Sequence, residues 1–508
     1  MNRRKFLTAA SSLALPIALN GFGLKALANN STLVRSLLAA DVPINDRILV
    51  IVNLNGGNDG LNTVIPLDQM SAYNTLRSNV AIPQNKVLTL AGNDLTGLHP
   101  AMTGMRDLYN DGKLSIVHSV SYPNPDQSHY RSSDIWMTGE DANQNYETGW
   151  AGRYLDNRFP NYPASYPNLT MEDPLAIQIG YLTSTTLLGP TQSMGIAIND
   201  PNSFYSLVGA ASATSPDYLP CCDAGDLISY IRKQQALSVG YATEIKAAYD
   251  AGTTLATYPA ANQNPLADQL KIVARLIHGG LKTKIYFVSL GGFDTHSGQV
   301  DTTDNSIGGH ANLLGRLSSG IKAFQDDLAL KGIADKVVGM TFSEFGRRAN
   351  SNNSKGTDHG IAAPMFVFGN AVKRSTIGTN PDLNNLAVSS GGNKDIPMQI
   401  DFRRVYTDVL NDWFGAGVSK TNSLLFRSST SALDFPTVSL FANEVETVAS
   451  GNWENKAVWT VGRQPFPGEF VRVNVGHTVT VGQNITVRNV KLNGKIQFTG
   501  PYKLMITG

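Results

Sequence analysis

The sequence predicts an α/β fold with a central, mainly parallel sheet between helices, followed by a small all-β module. Three observations predict it. From Arg47 to about Pro436, apolar runs of strand length alternate with stretches of helical spacing. Several of those runs end directly in glycine-rich or polar turns, as parallel strands do where they meet a crevice. From Gly451 onward the helical spacing disappears and short alternating runs replace it. The chain has 508 residues, 42% of them hydrophobic and 16% charged, enough for a large core. Its net charge of +1 argues against nucleic acid as a partner, because phosphate binding needs a basic surplus. The two cysteines, Cys221 and Cys222, are adjacent, which excludes a disulfide framework and a four-thiolate zinc site.

The first element is an address. Arg3, Arg4 and Lys5 precede a mild apolar run from Phe6 to Leu27, broken by Pro16, Asn20 and Gly21 and too weak for a stable membrane span. Ala26-Leu27-Ala28 has the small-x-small pattern of a cleavage site, so residues 1–28 read as a signal peptide and 29–46 as a connector. Asn2 to Thr8 resembles the twin-arginine export signal, a route for proteins that are already folded. The expected location is the periplasm, the cell surface or the medium, with the twin-arginine machinery as a partner and no transmembrane segment left after cleavage.

The main domain is expected over 47–435. Arg47 to Leu54 reads as a buried strand running into Asn55-Gly56-Gly57-Asn58-Asp59-Gly60. A helix from Pro100 to Tyr109 and a strand from Leu114 to Val120 follow. Asp226 to Asp250 and Leu266 to Ile277 have helical spacing, and Lys284 to Leu290 is a strand entering Gly291-Gly292. Ala311, Leu314, Leu317, Ile321, Phe324 and Leu328 define an amphipathic helix. Lys336 to Phe342 and Pro364 to Phe368 are strands, and Asp401 to Trp413 is the last helix. A linker over 436–450 leads to the β-rich module, 451–508, with runs at Phe470–Val475, Thr478–Val481, Ile485–Val490 and Lys495–Phe498. That module resembles short β-solenoids of exported bacterial proteins. Two roles stand open for it: attachment to the cell surface, or packing on the main domain.

Five segments place carboxylates and imidazoles just beyond predicted strands: Asn58-Asp59, Ser128-His129, Asp294-Thr295-His296, Ser343-Glu344 and Asp358-His359. Divalent ions take carboxylate oxygens and imidazole nitrogens converging from several elements, and strand ends supply such convergence. Each segment also has a plain reading. Asp59 fits a turn, Glu344 a partner for Arg347 or Arg348, and Asp358 a group that orients a neighbouring imidazole. His99, His118, His278, His310 and His477 lack comparable company and read as packing or surface residues.

These residues carry a resemblance. Asn55 to Asn62, Ser128 to Trp136, Gly291-Gly292-Phe293-Asp294-Thr295-His296, Ser343-Glu344-Phe345-Gly346-Arg347 and Thr357-Asp358-His359-Gly360 resemble the exported bacterial family catalogued as domain of unknown function 1501. That family is similar to the sulfatase and alkaline phosphatase superfamily, which implies an α/β sandwich holding divalent metals at strand ends. Carried over, the resemblance makes Asp59, Asp294, His296, Glu344 and His359 metal ligands. It puts the nucleophile at Ser128, with His129 beside it and Ser132 as second choice. It leaves Arg131 or Arg347 to stabilise the transition state. Phe345 stands where that superfamily has a metal-binding imidazole, and no Cys-x-Pro-x-Arg is present, so the sulfatase nucleophile is absent.

The function these readings imply is a metal-dependent hydrolase of phosphate or sulfate esters, acting on a small-molecule or glycan ester. Its divalent ion is zinc, calcium, manganese or magnesium. The alternative is a non-catalytic exported binding or cell-surface protein with a structural ion on the same scaffold. A carboxyl-ester hydrolase using Ser128-His129 is a weaker third reading, since Gly-x-Ser-x-Gly is missing.

Overall fold

The computed structural model describes residues 46–508 apart from 164–165, 169–170, 209–237, 389–393, 442–443, 461, 466–468, 488 and 507–508. The leader, nearly all of the connector, Cys221-Cys222 and the start of the helix expected from Asp226 therefore lie outside the described residues, although 238–251 is helical. Residues from Arg47 onward form one compact unit.

Its centre is a nine-stranded sheet. The strands are β1 (Ile48–Asn55), β2 (Leu114–Ser121), β3 (Ala176–Ile179), β4 (Gly195–Ile198), β5 (Ile285–Gly291), β6 (Val337–Phe342), β7 (Ala363–Phe368), β8 (Ser375–Ile377) and β9 (Ile400–Asp401). The spatial order is β8-β2-β7-β6-β1-β5-β3-β4, with β9 also pairing with β2. Every pairing is parallel except those of β7 with β2 and with β6. β1 lies in the middle and is buried through Leu54. A run such as Ile-Leu-Val-Ile-Val suits a strand covered on both faces, where nothing rewards alternation.

The helices that close the sheet follow their sequence signals. α1 (Thr103–Asn110), α2 (His129–Thr138), α3 (Pro265–His278), α4 (Gly309–Leu330) and α5 (Phe402–Thr407) are the relevant ones. α3 begins as its sequence dictates: the Asn264 side chain accepts the Leu266 and Ala267 N–H groups, and Pro265 opens the first turn. α4 buries Leu314, Leu317, Ile321, Phe324 and Leu328, the stripe that its spacing predicts. Gly139, in the left-handed region at φ +76°, ends α2. The expected helix over 401–413 divides: Asp401 caps α5, and Asp408–Trp413 continues with wider π-type turns.

β3 and β4 went unread in the sequence. Each is four residues long and sits in the stretch from Asn143 to Ser215, where no periodicity can accumulate.

The C-terminal residues wind into a coil of parallel strands, β10 (Glu444–Glu446), β11 (Gly451–Asn452), β12 (Phe470–Val473), β13 (Thr478–Val481), β14 (Ile485–Val487), β15 (Asn489–Leu492), β16 (Lys495–Phe498) and β17 (Leu504–Ile506). Three sheets result: β10-β12-β15, β11-β13-β16 and β14-β17. The expected single run Ile485–Val490 thus falls on two strands in different sheets. Val445, Trp453, Trp459, Val471, Val473, Val479, Val481 and Val487 fill the interior as a hydrophobic cluster of its own. No helix among the described residues is long and apolar enough to cross a membrane.

Three imidazoles are locked into the main domain, as their packing role predicted. Burial lowers the pKa of His99 to about 3 and of His118 and His310 to about 4. The unfolded chain takes up these protons near pH 6.5 while the folded state refuses them. Their contribution is complete above pH 6.5 and is lost as the pH falls from there toward 4. Urea-unfolding midpoints should fall steadily over that window, by a slope approaching three protons. A flat midpoint between pH 6.5 and 4 would contradict this burial.

Candidate metal centre

β1, β5 and β6 pair in parallel, and β2 runs the same way because β7 between it and β6 is antiparallel to both, so all four leave the sheet at the same edge. β1 turns through Gly56 (φ +124°) and Gly57 (φ +76°), backbone states that favour glycine. A Cβ on Gly56 would collide with the backbone of Phe293 and Asp294, and one on Gly57 with the Phe345 ring. The glycines thus let the loops after β1, β5 and β6 close on one another.

Arg347 fastens that junction. Its side chain is buried; Nε donates to Gly57 O (2.7 Å), Nη1 to Thr357 O (2.9 Å), and Nη2 to Gly56 O, Phe293 O and Asp294 Oδ1 (2.6 Å to the last). One guanidinium therefore ties three loops and aims the Asp294 carboxylate. Burial works to raise the Asp294 pKa but is outweighed by the Arg347 bond and charge, with help from His359 and His296, so the carboxyl stays below its usual range.

Three imidazoles converge on that carboxylate. His359 Nε2 lies 3.3 Å and His296 Nε2 3.2 Å from Asp294 Oδ1, and His129 Nε2 lies 3.5 Å from Oδ2. Donor atoms of His129, Asp294 and His359 all fall within 4.8 Å of one another. The opposite ring nitrogens are occupied: His359 Nδ1 by Gln127 O (2.9 Å), His129 Nδ1 by Glu344 Oε1 (2.7 Å) and His296 Nδ1 by Asp358 Oδ1 (3.1 Å). A carbonyl oxygen can only accept, so His359 Nδ1 carries the proton and its Nε2 presents a lone pair. The same tautomer suits the two rings held by carboxylates. Burial, with the neighbouring Arg347 and His129, lowers the His359 pKa against the bonds to Gln127 O and Asp294 that raise it. Imidazole nitrogens and carboxylate oxygens brought together in this way are the donor set that a divalent cation takes. The Phe345 ring braces the cluster, its centroid 4.8 Å from that of His129 and 4.4 Å from that of His359.

Of the sequence candidates, Asp294, His296 and His359 meet here, and His129 joins them through Nε2 rather than standing free as a base. Glu344 comes to the cluster behind His129, where its Oε1 also accepts the Gly56 N–H (2.9 Å). Asp59 is fully buried and stands apart, its Oδ2 paired with Arg77 and bonded to Gln299 Nε2 (2.5 Å). Ser128 is exposed at the N-cap of α2, directly before His129. Ser132 is buried and bonded to Tyr122 Oη (2.8 Å) and Asp126 O. Arg131 is directed to Glu140 (2.5 Å), Ala142 O (3.2 Å) and Gln144 O, away from the imidazoles. With Arg347 saturated as well, both arginines assigned to the transition state hold protein oxygens instead. The sequence reading missed Gln127, which acts through its backbone, and Arg77, which has no local signal. It assigned Asp358 to orienting His359, whereas the carboxylate holds His296.

Residues 234–423 match a family described as "Protein of unknown function (DUF1501)". The match covers Asp294, His296, Glu344 and His359 but begins after Asp59 and His129. No curated protein matches the sequence. Similar solved structures include a protein of the alkaline phosphatase superfamily from Vibrio parahaemolyticus, 11% identical, over 66% of this chain and 63% of that one, with a TM-score of 0.30. The lipoteichoic acid synthase LtaP from Listeria monocytogenes is 9% identical over 66% and 67% of the two chains, TM-score 0.28. A mutant of the alkaline phosphatase PafA is 11% identical over 60% and 64%, TM-score 0.28. The chain spans a little under two thirds of the first of these.

Replacing Arg347 by Ala should strand several buried carbonyls and cost about 3 kcal/mol or more of unfolding free energy. Arg347→Lys should not restore it, because an ammonium cannot reproduce the planar fork. Denaturant titration measures both, and a Lys variant of wild-type stability would refute the brace.

Proposed function

We propose that this protein is a metal-dependent hydrolase of phosphate or sulfate esters, exported through a twin-arginine-like leader. The observation that carries the metal reading is the convergence of three imidazole Nε2 atoms on Asp294 with every Nδ1 already held by an oxygen. Such oriented imidazoles are the usual surroundings of a bound ion. In this reading His129, His296, His359 and Asp294 hold it. Three nitrogens and a carboxylate suit zinc well and manganese acceptably. The Asp294 and His296 side chains are 47% and 46% exposed, and an open position is what separates a catalytic from a closed structural site.

A bound divalent ion would polarise the ester and stabilise the charge that develops on its oxygens. Gly56-Gly57, Arg347 and Phe345 keep the donor atoms in register. Ser128 is the proposed attacking group, supported by its exposure one residue before His129. The ester class comes from the superfamily resemblance of the motifs.

The engagement of Arg131 and Arg347 with protein oxygens favours a second reading, a non-catalytic exported binding protein with a structural ion. Elemental mass spectrometry and aryl phosphate and aryl sulfate assays separate the two. The hydrolase should contain about one equivalent of metal and turn over one of these esters. His359→Ala should lose the ion and at least about 100-fold in kcat/KM. Bound metal without turnover of either ester would favour the binding protein, and metal-free, folded protein would sink both.

A further inference from the structure

The carboxylates around the cluster differ in what balances them. Asp59 faces Arg77, Asp294 faces Arg347 at 2.6 Å, and Asp358 faces Arg348 at 3.4 Å. Glu344 is as buried as Asp59, with a side chain 1% exposed. Among the described residues it accepts the Gly56 N–H (2.9 Å) and the Ser343 hydroxyl (3.2 Å), and the ring against it is the His129 imidazole (2.7 Å). A buried carboxylate with neither guanidinium nor ammonium against it among the described residues is an expensive arrangement, since hydrogen bonds must repay its desolvation.

The donors themselves leave a complementary deficit. Imidazole donors bring no negative charge, and the charge of Asp294 is shared with Arg347. A divalent cation seated among them is therefore undercompensated by the atoms it touches. The missing negative charge stands behind the rings. Asp358 is 37% exposed and already faces Arg348, so water and the guanidinium weaken its effect. Glu344 is 1% exposed and, among the described residues, faces no guanidinium or ammonium.

We propose that Glu344 is a positioning residue that acts on the bound cation through His129, supplying the site's charge balance without being a ligand itself. This rests on the metal reading above. It implies that the metal-free protein carries a destabilising buried charge, which the ion relieves. The site is thus built to be stable when loaded and costly when empty.

Glu344→Gln separates this role from a structural one. The amide keeps an oxygen able to accept both the Gly56 and His129 N–H groups, and its nitrogen faces the Ser343 oxygen, so the charge is the main thing removed. Zinc and manganese affinities are measured by chelator competition, and melting temperatures with and without each ion. Three results are expected together for Glu344→Gln: affinity about 10- to 100-fold weaker, a metal-free form that melts above metal-free wild type, and a smaller rise on adding metal. Asp358→Asn should weaken binding less. Unchanged affinity in Glu344→Gln, with wild type binding metal normally, overturns this inference and leaves the metal reading standing. A metal-free variant that melts lower at unchanged affinity would make Glu344 a structural partner of His129. Wild type that binds neither ion ends both proposals.

Discussion

A single buried guanidinium organises this protein's chemistry. Arg347 reaches the carbonyls of Gly56, Gly57, Phe293 and Thr357 as well as Asp294, so it spans the loops that leave β1, β5 and β6. Each carbonyl needs a donor, because burial without one is costly. A planar group with five N–H donors in fixed directions can serve several at once, which no other side chain does. The glycines at 56 and 57 exist in service of the same junction: without them the loops could not approach closely enough for one residue to reach all three.

The order of dependence runs outward from there. The sheet sets the strand ends side by side, the glycines and Arg347 draw the loops together, and the loops deliver Asp294 beneath the imidazoles. The rings are then turned by acceptors from three further places, the carbonyl of Gln127 and the carboxylates of Glu344 and Asp358. Glu344 and Asp358 stood out in the sequence, whereas Gln127, acting through its backbone, did not. Their meaning comes from the direction they impose on a neighbour.

Much of this was legible in the sequence, and the exceptions have physical causes. Long buried strands and amphipathic helices announce themselves through composition and spacing, so β1, β2, α3 and α4 were visible. Four-residue strands such as β3 and β4 carry too few positions for a period. The segments bearing Asp294, His296 and His359 could be picked out, since acidic and imidazole groups after a strand are unusual. Which carboxylate would meet which cation could not, because pairs such as Asp59 with Arg77 or Asp294 with Arg347 are decided by loop closure in three dimensions. Glu344 was picked out by its place at a strand end and expected to ligate, and in the structure its carboxylate is bonded to His129 Nδ1.

The converging donors also lie far apart along the chain. His129 and Asp294 are separated by 165 residues, 294 − 129, and Asp294 and His359 by 65, 359 − 294. An ion held by all three would act as a cross-link, closing two large loops in a molecule whose only cysteines are neighbours and can fasten nothing distant. Such a fastening depends on pH and on metal supply instead of on the redox state of the surroundings. A protein tied in this way would keep that long-range restraint in a reducing or an oxidising compartment alike, provided the ion travels with it.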